Sequence, residues 1–273
     1  MSKIINIPRG QLADLYLAQS FSSYQIAKQL GCSQNTIMER LRVFKIKTRS
    51  IQEGKALTKP RYPRKNFYGN KQDKSYLIGF RLGDLYVRKA HLNSPTIQIN
   101  LNSTRSEQVE LMKNLFAPFG HVGISRPDKA GATKVRAYVN CSFEFLVPKN
   151  KALDSWILKS KKNSIAFLAG YVDAEGSFGL SPRNQPFFSM KSQDKEIMKS
   201  IQARILPSVG IDTKLQFVRS AGSIMNNIRC NKDVYGIFIY NKQHLGLLLS
   251  ALLPLLKHSK RRVDALKVFN RIK

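Results

Sequence analysis

The chain has 273 residues, 42% of them hydrophobic, and sets 46 Lys and Arg against 17 Asp and Glu for a formal net charge of +29. That length accommodates one large or two to three small domains with cores of their own, and the charge calls for a polyanionic partner. No run approaches the roughly 18 apolar residues that span a bilayer, and the first residues lack the basic-then-apolar order of a secretion signal. The expectation is therefore a cytoplasmic (nucleoid-associated) or organellar protein that is neither secreted nor membrane-bound. Cys32, Cys141 and Cys230 are isolated, and His91, His121, His244 and His258 are scattered. The histidines read as surface or loop residues and the cysteines as thiols of a reducing compartment, which argues against a zinc or HNH-type nuclease.

Residues 1–50 carry three short helical patterns, marked by Leu12, Leu15 and Tyr16, by Ile26, Ala27 and Leu30, and by Ile37, Leu41 and Phe44. Ser22 or Ser23 is placed to cap the second helix, Gly31 to turn the chain and Ser33 to cap the third, the order of a helix-turn-helix. With Ile37, Leu41 and Phe44 inward, Asn35, Glu39 and Arg42 face the other way, where a recognition helix meets the major groove. The segment is similar to small DNA-binding helix-turn-helix units, and a plain three-helix packing module is its alternative. From Arg40 to Lys71 eleven basic residues face one acid, Glu53, with Pro60 and Pro63 interrupting regular structure. Residues 51–73 accordingly read as an extended basic linker following a phosphate backbone.

Tyr76-Leu-Ile-Gly-Phe-Arg-Leu-Gly-Asp-Leu85 comes next, and Phe167-Leu-Ala-Gly-Tyr-Val-Asp-Ala-Glu-Gly176 repeats it 175 − 84 = 91 residues later. As helices, each lines up small residues at i, i+4: Ser75, Gly79 and Gly83 on one, Ala166, Gly170 and Ala174 on the other. Faces so bare let two backbones approach, which would bring Asp84 and Glu175 together at the C-terminal ends. Two carboxylates at negative helix termini repel unless a cation lies between them, and oxygen ligands of this kind suit Mg²⁺. Between the two stretches, Thr96–Asn102 alternates strictly, a half-buried strand with Gln98 and Asn100 outward. A helix follows through Val109, Met112, Leu115 and Phe116, then a strand with Lys134 and Arg136 outward. After the second stretch come a strand at 187–191, a helix from Asp194 to about Leu206, strands at 213–218 and 234–240, and a helix through 245–256. The strands offer Gln98, Asn100, Lys134, Arg136, Lys191, Lys214 and Gln216 to solvent, side chains that pair with base edges in the major groove.

Leu168-Ala-Gly-Tyr-Val-Asp-Ala-Glu-Gly176 resembles the LAGLIDADG motif, and Leu77-Ile-Gly-Phe-Arg-Leu-Gly-Asp-Leu85 is a weaker copy, departing at Leu82 and Leu85. The resemblance is to the two-motif, single-chain LAGLIDADG homing endonucleases. It implies an α+β fold of two pseudo-symmetric αββαββα halves, residues 74–160 and 161–273, forming a DNA-binding saddle beside the small all-α domain. It further implies a monomer that cuts both strands of a long asymmetric double-stranded DNA target with Mg²⁺ held by Asp84 and Glu175. Lys260, with Lys149 or Lys151 as counterpart, is the basic residue that the resemblance places near the metal, and Asp173 is assigned a structural role at the helix interface. Two alternatives stand beside this reading: a maturase acting on intron RNA, and a non-catalytic DNA-binding regulator.

Overall fold

Residues 6–50, 53–54, 62–91, 94–148, 152–225 and 228–273 are described by the computed structural model. They fall into two compact units, Met1–Arg61 with His91–Pro95, and Tyr62–Ala90 with Thr96–Lys273. Lys149 and Lys151, the expected counterparts of Lys260, lie outside the described residues, as do parts of the basic linker.

The first unit contains α1 (Arg9–Ala13), which runs on as a wider-pitched turn over Asp14–Ala18, then α2 (Ser23–Leu30) and α3 (Gln34–Val43). Ser22 starts α2 by accepting from the Gln25 amide at 3.2 Å while the Gln25 side chain accepts from the Ser22 amide at 2.9 Å, so two otherwise orphaned donors are satisfied reciprocally. Gly31 ends the helix at φ 68°, a left-handed position that costs glycine little. Leu12, Leu15, Tyr16, Ile26, Ile37 and Leu41 make the small core. Arg49 lies over the Tyr16 ring at 4.2 Å, and its backbone amide donates to the Tyr16 hydroxyl at 3.0 Å.

The second unit is built on α4 (Lys71–Asp84) and α7 (Lys161–Glu175), the two repeated stretches. Each begins at a polar cap, Asn70 and Ser160 respectively, and each runs directly into a strand. The first half contains β1 (Tyr86–Lys89), β2 (Thr96–Ser103), α5 (Ser106–Phe116), β3 (His121–Ile124) and β4 (Thr133–Asn140), followed by a 3-10 turn over Cys141–Leu146 and the short α6 (Ser155–Leu158). The second half contains β5 (Gly176–Leu180), β6 (Pro186–Ser192), α8 (Lys195–Ser200, continuing to Ser208), β7 (Gln216–Arg219), the small hairpin β8–β9 (Ile224–Met225 and Ile228–Arg229), β10 (Val234–Ile239), α9 (Lys242–Leu252) and α10 (Ser259–Ile272). The strands form two four-stranded antiparallel sheets of matching order, β1-β2-β4-β3 and β5-β6-β10-β7. Ile97, Ile99 and Leu101 face the core beside Val135, Ala137 and Val139, as the alternation requires.

The structure adds what periodicity left out. β1, β3 and β5 are short runs of four or five residues, too brief to show a pattern of their own. β7 begins at Gln216, so Lys214 precedes the strand. From Tyr62 onward the segment read as a linker is packed into the second unit. The Lys65 amide donates to the Phe119 carbonyl at 2.8 Å, and Phe67 joins Phe119, Phe143 and Phe145 in an aromatic cluster.

Candidate active site

The two motif helices meet backbone to backbone. A Cβ on Gly79 would fall on the carbonyl oxygen of Phe167, and one on Gly170 on that of Tyr76, both closer than any real methyl approaches. A Cβ on Gly83 would overlap that of Ala174 and stand 3.1 Å from Cγ of Glu175. The contact therefore closes right up to the acids at the helix ends. Both helices leave through an extended residue, Leu85 at φ −99° and Gly176 at φ −79°, so neither exit needs glycine for its dihedral angles. Gly176 is needed for space, because a Cβ there would press on Val172. The first half has Arg81 at that upstream position; its guanidinium donates to the carbonyls of Leu146 at 2.9 Å and Leu85 at 3.2 Å, holding the end of α4.

Asp84 and Glu175 line one cleft of about 350 Å³ together with Asn102, Arg105, Gln108 and Arg261. The Gln108 side-chain amide donates to Asp84 Oδ2 in a very close contact. Burial pushes the Asp84 carboxyl up to about 6, against the opposing pull of Arg261, Arg105 and the Gln108 hydrogen bond. Arg261 is itself buried, and loss of water lowers its pKa. The donors on offer are carboxylate and amide oxygens, which fit a hard divalent cation. Among the described residues no three His, Cys, Asp or Glu cluster as a self-sufficient cage, so such an ion would complete its shell with water or substrate oxygens.

Asp173 is fully buried. Its Oδ2 accepts from the Tyr76 hydroxyl at 2.5 Å and from the backbone amides of Lys257 and His258 at 2.7 and 3.1 Å. One carboxylate thus ties both motif helices to the start of α10, the helix that carries Arg261. In the first half Leu82 occupies the matching position, and its apolar side chain can accept no hydrogen bond.

Lys260 points to Asp264, 2.7 Å away and one turn along α10, and does not line the acid cleft; its neighbour Arg261 does. The reading of His258 as a surface or loop residue is corrected: it is 1% exposed and caps α10, its Nδ1 accepting from the Arg261 amide at 3.4 Å. Burial lowers its pKa to about 4, so the ring is neutral at physiological pH. Gln98, expected in solvent, is also corrected. It is 8% exposed, because its amide oxygen accepts from Arg88 Nε at 3.2 Å and its nitrogen donates to Asn100 at 2.9 Å. Asn100 is half-buried, while Lys134 and Arg136 are exposed on the same outward face. In the second half Lys191 is exposed, with Nζ 5.6 Å from the Phe238 ring; Lys214 and Gln216 are exposed as well. In the first unit Asn35, Glu39 and Arg42 are exposed and share a surface depression with Met38, Lys45, Lys47 and Thr48. Arg105, Gln108 and Arg261 were not singled out from sequence, where only their chemical type hinted at a role.

A family model described as LAGLIDADG-like domain matches residues 162–244. No curated protein matches the sequence closely enough to count as a relative. Among solved structures, the homing endonuclease I-WcaI bound to its DNA recognition sequence is 16% identical, covers 71% of this chain and 86% of its own, and superposes with a TM-score of 0.50. I-DmoI in complex with DNA and Mn is 15% identical over 67% of this chain and 97% of its own, at a TM-score of 0.45. The N-terminal LAGLIDADG domain of DUF199/WhiA is 16% identical over 68% of this chain and 83% of its own, at 0.42. The chain thus carries a LAGLIDADG-like domain and has the fold of the LAGLIDADG homing endonucleases.

Proposed function

We propose that this chain, built on the LAGLIDADG homing-endonuclease fold, binds double-stranded DNA and hydrolyses its phosphodiester bonds at a specific site, on both strands, with a divalent cation. The observation that carries the reading is the convergence of Asp84 and Glu175 in one cleft, from two helices packed through Gly79 and Gly170. Such helix packing alone needs no acids at its mouth, and burying Asp84 costs stability that a structural role would not demand. The net charge of +29 supplies the attraction for DNA. Both acids belong to one chain, which supports action as a monomer. Mg²⁺ is the ion we favour.

Asp84 and Glu175 would hold the cation, which when bound supplies charge relief at phosphorus and a lowered pKa for attacking water. Gln108 fixes the carboxylate of Asp84 by donating to Oδ2, at the wall of the cleft that both residues line. Arg105 and Arg261 set positive charge beside the acids, where a phosphate would enter. Asp173 holds the head of α10 and with it the backbone of Arg261. In the reaction water adds to phosphorus, one P–O bond to sugar breaks, and a proton passes to the departing oxygen.

The test is cleavage of a plasmid library of candidate insertion sequences with Mg²⁺, using wild type beside Asp84→Asn and Glu175→Gln. The expected result is cutting at one sequence by wild type alone, each variant losing at least about 1,000-fold in rate. Specific binding by all three proteins with no cutting would overturn the nuclease reading in favour of a DNA-binding regulator.

A further inference from the structure

The segment ahead of the first motif helix crosses one end of the outward face of the first sheet. That face is set by pairing: Thr96 lies opposite Asn140, Gln98 opposite Tyr138, and His121 opposite Tyr138. The incoming chain is fastened to it at three points. Tyr62 stacks on His121, with ring centroids 3.9 Å apart and planes 11° from parallel. The Arg64 guanidinium donates to the Thr96 hydroxyl through Nη1 in a very short contact. The Asn66 side chain accepts from Asn140 at 2.7 Å. Beyond these, Phe67 plunges into the aromatic cluster and its amide donates to Ser142 at 2.8 Å.

A segment serving only to cover the sheet would bring apolar side chains to it, yet what it lays on this face is a tyrosine, an arginine and an asparagine. Arg64 is only half-buried, so the contact with Thr96 holds its guanidinium on the sheet while part of this planar, phosphate- and base-matching cation still meets solvent. Tyr62 stays 40% exposed although its ring is stacked, and Lys65 adds an exposed cation alongside.

We propose that Tyr62–Asn66 extends the DNA-binding face of the first sheet and reads the duplex at the end of the site remote from the acids, on the first half's side only. The proposal rests on the DNA-binding reading above. Its location follows from the strand. Asn102 and Ser103 reach the acid cleft, whereas Thr96, where Arg64 is fastened, begins the same strand. Seven steps from 96 to 103 at about 3.3 Å per residue make about 23 Å, or about six to seven base pairs at about 3.4 Å per pair. Tyr62 and Arg64 would then contact DNA about six to seven base pairs from the point of cleavage.

The experiment is selection of bound duplexes from a randomised pool by the full-length chain with Ca²⁺, comparing wild type with Tyr62→Ala and Arg64→Gln. Thermal melting of each protein accompanies it. Wild type is expected to yield one asymmetric consensus, and both variants to keep that consensus while losing base preference about six to seven pairs from its centre on one side. Affinity for the unaltered consensus should fall about tenfold. An unchanged preference profile in both variants, whatever their melting temperatures, would overturn the inference and leave the DNA-binding reading intact. Failure of wild type to enrich any sequence would defeat specific DNA recognition itself, and this inference with it.

Discussion

Asp84→Asn separates the cost of the acid cleft from its use. With the carboxyl raised from 3.8 to about 6 by burial, the folded state holds the proton more tightly than the unfolded chain. Stability from this group is therefore complete below about pH 4 and is lost as pH rises through about 6. A difference of about 2 pH units at about 1.4 kcal/mol each sets a ceiling near 3 kcal/mol, and about 2 kcal/mol is a fairer figure for a group lying in an open cleft. The neutral asparagine avoids that cost while keeping an oxygen for Gln108. In chelator, Asp84→Asn should unfold at the same temperature as wild type near pH 4. At pH 8 it should unfold about 4–8 °C higher, at roughly 2–4 °C per kcal/mol for a unit of this size. Calcium should narrow the pH 8 gap by stabilising wild type alone, because an ion that binds only the folded state adds to its stability. Calorimetry across pH 4–8 checks this, and a variant no more stable than wild type at pH 8 would refute the claim that Asp84 is held against its own solvation.

Gly79→Ala and Gly170→Ala each drive a methyl into a backbone carbonyl of the facing helix, and should cost more than about 4 kcal/mol, seen as insoluble protein or loss of cooperative unfolding. Asp173→Ala strands the Tyr76 hydroxyl and the amides of Lys257 and His258; urea unfolding should show a loss of about 3–5 kcal/mol, against about 1–2 for Tyr76→Phe, which removes one donor of the three. Deleting residues 1–61 should weaken DNA binding and flatten the slope of log affinity against log salt, since the cations of α3 and its tail are lost, while cleavage persists at saturating protein. Equal slopes with and without those residues would show that the first unit touches no phosphate.

The repeated helices were legible in the sequence because close packing leaves a mark of period 3.6: Gly79 and Gly83, Gly170 and Ala174 recur every fourth residue, and the acids follow at the helix ends. The alternation of Ile97, Ile99 and Leu101 and the caps at Ser22 and Ser33 were legible for the same reason, since each expresses a local geometric rule. Gln98 was not, since strand period says only which face it takes. That it is buried there follows from Arg88 on the neighbouring strand and Asn100 two residues on closing over it. Nor was the choice among Lys260, Arg261 and Arg262, three successive cations on one helix. Which of them enters the acid cleft depends on the rotation of α10, and that is fixed by Asp173 accepting the amides of Lys257 and His258 from a helix more than 80 residues away in sequence. Local periodicity determined the helices, the main strands and the pair of acids; the company those acids keep was decided by long-range hydrogen bonds and close packing, which no single segment encodes.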